Sequence, residues 1–161
     1  MQYFNDLIHN RMLIAAVLGW AIAQVVKTLI DLALNKKINF ERLVGSGGMP
    51  SCHSATVCAL CVAAGYDYGL DSAAFAVSAI LAIIVMYDAR GVRRETGNQA
   101  EILNQIMEFF RLPENGEFKL EFNQEQLKVL IGHTPLQVLC GAILGIIVGI
   151  VSVNVLPQNH R

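Results

Sequence analysis

The stretch Leu136–Leu156, LQVLCGAILGIIVGIVSVNVL, decides the fold class. It contains no Asp, Glu, Lys or Arg, and about 20 consecutive apolar residues are enough for a helix to cross the hydrocarbon core of a bilayer. Gly141, Gly145 and Gly149 recur at the spacing of a face on which membrane helices approach closely. The stretch predicts a membrane-spanning helix with such a packing face, which would also suit a homodimer. The alternative is that glycine is simply common in these helices.

Three other runs of the sequence are apolar, over residues 12–34, 54–70 and 72–87. The first is long enough to span a bilayer but contains Gln24, Lys27 and Asp31. Lys27 and Asp31 share a helix face, which we expect to look into the protein or toward lipid headgroups. The other two runs are short, so the hydrophobic layer is expected to be thin or these helices sheltered.

Composition agrees with a membrane protein. Of the 161 residues, 54 % are hydrophobic and 16 % are charged, against roughly 25 % charged residues in an ordinary soluble domain. The net charge of −1 gives no reason to expect a nucleic-acid partner. We predict an all-α fold, a polytopic membrane helical bundle with about four membrane helices and short amphipathic surface helices, forming one membrane-embedded domain over residues 1–161.

The polar segment 88–134 is expected to lie on the membrane surface. Apolar residues at helical spacing predict an amphipathic helix over Asn98–Arg111, and a second short helix is predicted over Gln124–Ile131. With four spans, this segment and the basic loop 35–53 fall on the same side of the membrane. Their excess of Lys and Arg indicates that this side is cytoplasmic.

The four cysteines are expected to be small, buried, apolar residues. Cys58 and Cys61 form a C-x-x-C pattern inside an apolar helical run. A zinc ribbon would need a second such pair, and a redox motif would need a βαβ context that the sequence does not show. No metal site is predicted from them.

Three polar motifs interrupt the apolar chain, and the first is GSGGMPSCHS at residues 45–54. Glycines leave backbone N–H groups open to a ligand, and a helix N-terminus attracts anions, so the motif is typical of a phosphate site. His53 would stand beside the phosphate as an acid or base, and Pro50 is expected in the first helical turn. The alternative is an ordinary capped helix start.

The second motif is DARGVRRETGNQ at residues 88–99. If the segment is one helix, Arg90, Arg93 and Arg94 share a side, and their planar guanidinium groups match phosphate oxygens in pairs. This pattern predicts a phosphate clamp. The alternative is a basic flank that touches anionic lipid headgroups.

The third motif is GHTPLQ at residues 132–137. Thr134 as N-cap, Pro135 in the first turn and Gln137 three residues after Thr134 form a capping box, which explains these three residues without any chemistry. It does not explain His133. A histidine beside a helix N-terminus at the membrane boundary can act as a nucleophile.

The strings GGMPSCHSA, DARGVRRETGNQA and GHTPLQV resemble the divergent branch of the type 2 phosphatidic acid phosphatases, also described as acid phosphatase/vanadium-dependent haloperoxidase-related proteins. The resemblance runs over nearly the whole chain. It implies that His133 attacks phosphorus, that His53 protonates the leaving oxygen and that Ser51 binds phosphate. It also implies that Lys36 or Lys37, together with Arg42, binds phosphate. The motifs themselves give these further phosphate-binding candidates: Gly47, Gly48, Arg90, Arg93 and Arg94.

The chain departs from that family pattern four residues after His133, where Gln137 stands in place of an acid. An amide can orient an imidazole but stabilises its cation poorly. In the serine-protease triad, the comparable change from Asp to Asn costs about 10⁴ in rate. Either another carboxylate serves (Asp88, Glu95 or Glu101), or catalysis is weak, or the site only binds.

The predicted function is hydrolysis of a lipid phosphate or pyrophosphate, of isoprenyl or diacylglycerol type, through a phosphohistidine. Neither a metal nor a cofactor is expected, and the expected partners are the lipid substrate and membrane lipids. The alternative is a non-catalytic membrane protein that binds anionic lipid head groups or scaffolds partners. A transporter ranks last, because no inverted repeat is evident. The expected location is the bacterial cytoplasmic membrane.

Overall fold

Residues 1–36, 48–109 and 133–157 are described by a computed structural model of the chain. Within these ranges the chain forms α-helices and no strand. The all-α architecture predicted from the sequence is therefore confirmed. The helices are α1 (Gln2–Ile8), α2 (Arg11–Asn35), α3 (Cys52–Tyr68), α4 (Ala73–Arg90), α5 (Val92–Phe109) and α6 (Pro135–Val155).

Helix α3 lies at the centre of the bundle. It packs against α2, α4 and α6, and α2 also packs against α6. Its buried side chains are small, and Ala55, Ala59, Ala63 and Ala64 have no exposed surface. Because small side chains let helix backbones approach one another, this core depends on close van der Waals contact rather than on large apolar residues.

The glycine face of α6 packs against α3, and Gly141, Gly145 and Gly149 are all buried. A Cβ added at Gly141 would contact the backbone oxygen of Ser51, and one added at Gly145 would contact the backbone oxygen of Ala55. The packing face predicted from the glycine spacing is thus present. Its partner is α3 of the same chain, so this face is not open to a second copy.

Gly145→Ala is expected to lower the free energy of unfolding by about 1–3 kcal/mol, the usual cost of overpacking a well-packed interior. The added methyl group would meet backbone atoms of Ala55, which cannot move aside as a flexible side chain can. Thermal unfolding in detergent measures the effect. Gly91→Ala is the matched control, since Gly91 is exposed and its added Cβ would lie 3.4 Å from the backbone oxygen of Tyr87, an ordinary contact distance. Equal midpoints for the two variants would contradict the close α3–α6 contact.

The outer surface of the bundle is apolar. Helices α2, α4 and α6 are long and apolar enough to cross a membrane, and the 17-residue α3 lies among them. Large apolar side chains such as Leu29, Ile84 and Ile147 are more than half exposed on these helices. Lipid tails are the natural cover for such a surface, so the chain is a membrane protein.

Arg11 joins three helices at one end of the bundle. Its Nε donates to Oδ2 of Asp67 at 3.0 Å, and the two side chains form an ion pair in which they are 5 % and 12 % exposed. Its Nη1 donates to the carbonyl oxygens of Val153 at 3.1 Å and Leu156 at 3.2 Å. One buried guanidinium therefore connects the start of α2 to the ends of α3 and α6.

The amphipathic surface helix begins earlier than the sequence suggested. Helix α5 starts at Val92 rather than Asn98, directly after Gly91, which ends α4. It presents exposed apolar side chains at Ile102 and Ile106, as the helical spacing predicted. The second predicted surface helix, over residues 124–131, lies outside the described residues.

Candidate functional site

Two backbone hydrogen bonds bring the three polar motifs together. The N–H of Ser51 donates to the carbonyl of Gln137 at 3.0 Å, and the N–H of His133 donates to the carbonyl of Ala89 at 3.1 Å. The starts of α3 and α6 and the end of α4 therefore meet. We name this the site end of the bundle, and the end that Arg11 joins the far end. The convergence predicted from the span count is present.

His53 and His133 are neighbours at the site end. Their ring centroids are 5.7 Å apart, and the ring planes meet at 65° in an edge-to-face arrangement. His133 is 2 % exposed, whereas His53 is partly exposed. The histidine that the family resemblance implies as nucleophile is thus the enclosed one, and the histidine that it implies as acid lies nearer the surface.

The amide of Gln137 fixes the orientation of His133. Its Oε1 accepts the backbone N–H of Thr134 at 3.0 Å and lies 3.2 Å from Nδ1 of His133. Because a backbone N–H can only donate, the amide atom that faces Thr134 is the oxygen, and Nδ1 of His133 must donate to it. In the neutral ring the lone pair then lies on Nε2, which is the nitrogen that attack on phosphorus would use.

Gln137 therefore has two roles at once. The capping box predicted from the sequence is present, because Oγ1 of Thr134 accepts the N–H of Gln137 at 3.3 Å. From the sequence, the cap and the orientation of the histidine are separate explanations of Gln137. In the structure one oxygen atom does both, which ties the first turn of α6 to the tautomer of His133.

The start of α3 differs from the expectation in one respect. Ser51 is the N-cap, with its Oγ accepting the N–H of Ser54 at 3.4 Å. Pro50 accordingly precedes the cap and is not in the first helical turn. Ser51 has no exposed surface. Because its hydroxyl oxygen already accepts the N–H of Ser54, the hydroxyl could bind a phosphate only by donating its proton. Gly48 has φ +84°, a conformation that glycine adopts readily.

The predicted cationic residues that the structure describes lie on or at the ends of three different helices. Lys36 is the exposed C-cap of α2, and Arg90 is exposed at the end of α4. Gly91 separates Arg90 from the helix that carries Arg93 and Arg94, so the single continuous helix assumed for the clamp is interrupted. The structure describes the backbone of Arg93 and Arg94 only, and Lys37, Arg42 and Gly47 lie outside the described residues.

Asp88 is half-buried in the last turn of α4, one residue before the carbonyl that accepts from His133. Its backbone is therefore close to the histidine motif. Glu101, another candidate carboxylate, is exposed on α5. The structure describes only the backbone of Glu95.

Lys27 is a cation that the sequence analysis did not assign to the site. It is 2 % exposed. It follows Ala23 by one helical turn, and Ala23 packs against Cys52 and Ala55 at the start of α3. Helical spacing thus puts Lys27 on the inner side of α2, closer to the site end. The sequence feature that could have identified Lys27 is its position on a polar face within an apolar run. A lysine inside a membrane span indicates a functional role by default.

The cysteines follow the expectation in part. All four are free thiols, with Cys52 and Cys58 buried but Cys61 and Cys140 only half-buried. Sγ of Cys52 lies 3.9 Å from Nδ1 of its neighbour His53. Cys52, which directly precedes His53 in the first motif, therefore lies against the ring of that histidine.

Comparison with known proteins assigns these features to a family. Residues 8–148 match the model described as the divergent PAP2 family. The chain is 38 % identical over 154 residues to the uncharacterized membrane protein YuiD of Bacillus subtilis (strain 168), and the match covers 91 % of this chain and 96 % of that protein. No solved structure matches the chain significantly.

Proposed function

The chain belongs to the divergent PAP2 family, and we propose that it hydrolyses a lipid phosphate or pyrophosphate without a metal, through a phosphohistidine on His133. Family membership supports a phosphatase-related role. The relative from Bacillus subtilis is itself uncharacterized, so the reaction is argued from the residues of this chain.

The observation that carries the proposal is a pair of neighbouring histidines in different surroundings. His133 is enclosed and has its Nδ1 proton directed at Gln137, which leaves the lone pair on Nε2. His53 lies 5.7 Å away between ring centroids and is open to the surface. An oriented nucleophile beside an accessible acid is the pair of groups that phosphoryl transfer through histidine requires.

The proposed reaction has two displacements at phosphorus. Nε2 of His133 forms a bond to phosphorus as the bond to the lipid oxygen breaks, and His53 gives its proton to that oxygen. A water molecule then attacks phosphorus and passes a proton to His53, and the bond to His133 breaks. The products are the lipid alcohol, or the lipid monophosphate when the substrate is a pyrophosphate, and inorganic phosphate.

The site end also offers positive potential for the phosphate oxygens. Helices α3 and α6 both begin there, and helix N-termini favour anions through their partial positive charge and free N–H groups. Lys27 lies on the inner side of α2 toward the same end. These groups would stabilise the charge that builds up on the equatorial oxygens.

Phosphate release from detergent-purified protein tests the proposal directly. The panel contains isoprenyl and diacylglycerol phosphates and pyrophosphates, with a chelator present, and the blank is a folded double variant, His53→Ala/His133→Ala. Release by the wild type and none by the blank would support the enzyme. No release by either, with lipid phosphates still binding, would support the alternative: a membrane protein that binds anionic lipid head groups or scaffolds partners.

Gln137→Glu is expected to increase turnover by about tenfold. Glu at this position accepts the same Thr134 N–H, so the capping box is kept. A carboxylate adds a charge-assisted hydrogen bond to the imidazolium, about 1.4 kcal/mol more than an amide gives. Initial rates at saturating substrate measure the change.

Thr134→Ala is the control for that variant, because it weakens the cap without changing the partner of His133. It should cost about 1 kcal/mol of stability and give no gain in rate. No release by either the wild type or Gln137→Glu would favour the non-catalytic alternative, which the amide at this position already supports.

We further propose that the site end faces the cytoplasm in a bacterial membrane, as the distribution of Lys and Arg suggests, and that residues 1–161 act as one domain. Accessibility of a cysteine introduced at exposed Arg90 to a membrane-impermeant reagent, in intact cells and in inverted vesicles, would test the orientation. Labelling in inverted vesicles alone is the expected result.

A further inference from the structure

One side of α3 is left uncovered below His53. From Cys52 to Leu60 every residue of the helix is buried except His53, Thr56 and Leu60, which are partly exposed. These three positions are spaced by one helical turn each and lie in a single stripe. One turn further on, Ala63 and Ala64 are fully buried, so the stripe begins at the site and ends inside the bundle.

The stripe forms the floor of a groove between α2 and α4. Helix α2 covers one flank of α3, where Gly19 lies against Ala55 and Ala59. Helix α4 reaches the other flank, where Sδ of Met86 lies 3.9 Å from Sγ of Cys58. In the described ranges α2 and α4 each pack extensively against α3, and any contact between α2 and α4 is at most slight. The floor between them therefore stays open.

The groove changes from polar to apolar along its length. It starts at His53, and the hydroxyl of Thr56 donates to the carbonyl of Cys52 at 2.7 Å, so that this hydroxyl is already satisfied within the helix. Leu60 lies about 10 Å from His53 along the axis, at 1.5 Å per residue. The flanking helices are both candidate membrane spans, so the groove descends from the site into the hydrocarbon layer.

We propose that this groove holds the hydrocarbon chain of the substrate, with Leu60 as the residue that the chain contacts. The floor is one side chain wide, so it suits one chain, and the preferred substrate is a single-chain isoprenyl or alkyl phosphate rather than a diacyl lipid. The inference rests on the proposed function for the reaction at the head group. Occupation of the groove by a chain can be measured with or without turnover.

Chain-length kinetics with Leu60→Trp test the groove. The wider side chain should lower kcat/KM for farnesyl phosphate by tenfold or more and leave butyl phosphate unchanged, because a butyl chain is too short to reach it. Leu139→Trp is the matched control, since Leu139 is 57 % exposed on α6, and it should affect neither substrate. Equal losses on both substrates, or no loss on either, would overturn the assignment.

Photolabelling separates this inference from the proposed function. A single-chain alkyl phosphate with a diazirine near the middle of its chain should label the α3 peptide that contains Thr56 and Leu60, and excess farnesyl phosphate should compete. Labelling there in a protein that releases no phosphate would support the groove and reject the enzyme. Labelling spread over the outward residues of α6, with no competition, would reject the groove whether or not phosphate is released.

Discussion

His133→Ala is expected to lower phosphate release by about 10⁴-fold or more, the scale of loss when a covalent nucleophile is removed. His133 is the histidine whose Nδ1 is held by Gln137, so its Nε2 is the nitrogen that the proposal assigns to the attack on phosphorus. His53→Ala should cost less, about 10²- to 10⁴-fold, since water can replace a general acid in part. Turnover and the trapping of acid-labile phosphate on the protein measure the two roles.

His9→Ala provides the matched control, because His9 is exposed at the end of α1. It should release phosphate at the wild-type rate. The wild type and His53→Ala should both accumulate labelled protein from a phosphorus-labelled substrate, and His133→Ala should not. Turnover that survives in His133→Ala would reject the nucleophile assignment, and labelled His133→Ala would place the covalent step on another residue.

Arg11→Met is expected to lower the free energy of unfolding by about 3–5 kcal/mol, the cost of breaking a buried ion pair from one side. The change leaves the Asp67 carboxylate, which is 12 % exposed, without its guanidinium. It also removes the donor to the carbonyls of Val153 and Leu156. Chemical or thermal unfolding in detergent, followed by circular dichroism, measures the loss.

The double variant Arg11→Met/Asp67→Leu distinguishes charge from packing. Removing both charged groups should recover much of the stability, because an apolar pair of similar volume avoids the uncompensated carboxylate. The recovery should be incomplete, since the two carbonyl oxygens lose their donor in either variant. A single variant as stable as the wild type would show that the far end does not depend on this ion pair.

Hydrophobic pattern and residue size were enough to predict most of the fold. The apolar stretch from Leu136 to Leu156 predicted one helix to within one residue at each end, since α6 runs from Pro135 to Val155. The glycine spacing also predicted a packing face. It could not show that the partner is α3 of the same chain, because the spacing describes one surface and not what covers it.

The parts of the site that depend on interactions between neighbouring residues were predictable from the sequence. The parts that depend on tertiary contacts were not. The capping box at Thr134 follows from neighbouring residues and is present. Gln137 also holds His133, and this contact requires the histidine ring to turn back toward the helix. The spacing of the two residues in the sequence does not determine that orientation. The role of Gly91 as a helix end and the burial of Lys27 likewise depend on the packing of whole helices.

We expect the position of Arg11 to give the bundle unequal stiffness along its length. At the far end, one guanidinium joins three helices through charge-assisted bonds, and at the site end backbone bonds to Gln137 and Ala89 connect the motifs. In a helix bundle that is held firmly at one end, displacements of the helices are expected to increase with distance from that end. We therefore expect the helices to separate least at the far end, so that entry of the lipid head group proposed for the site end leaves the Arg11 anchor undisturbed.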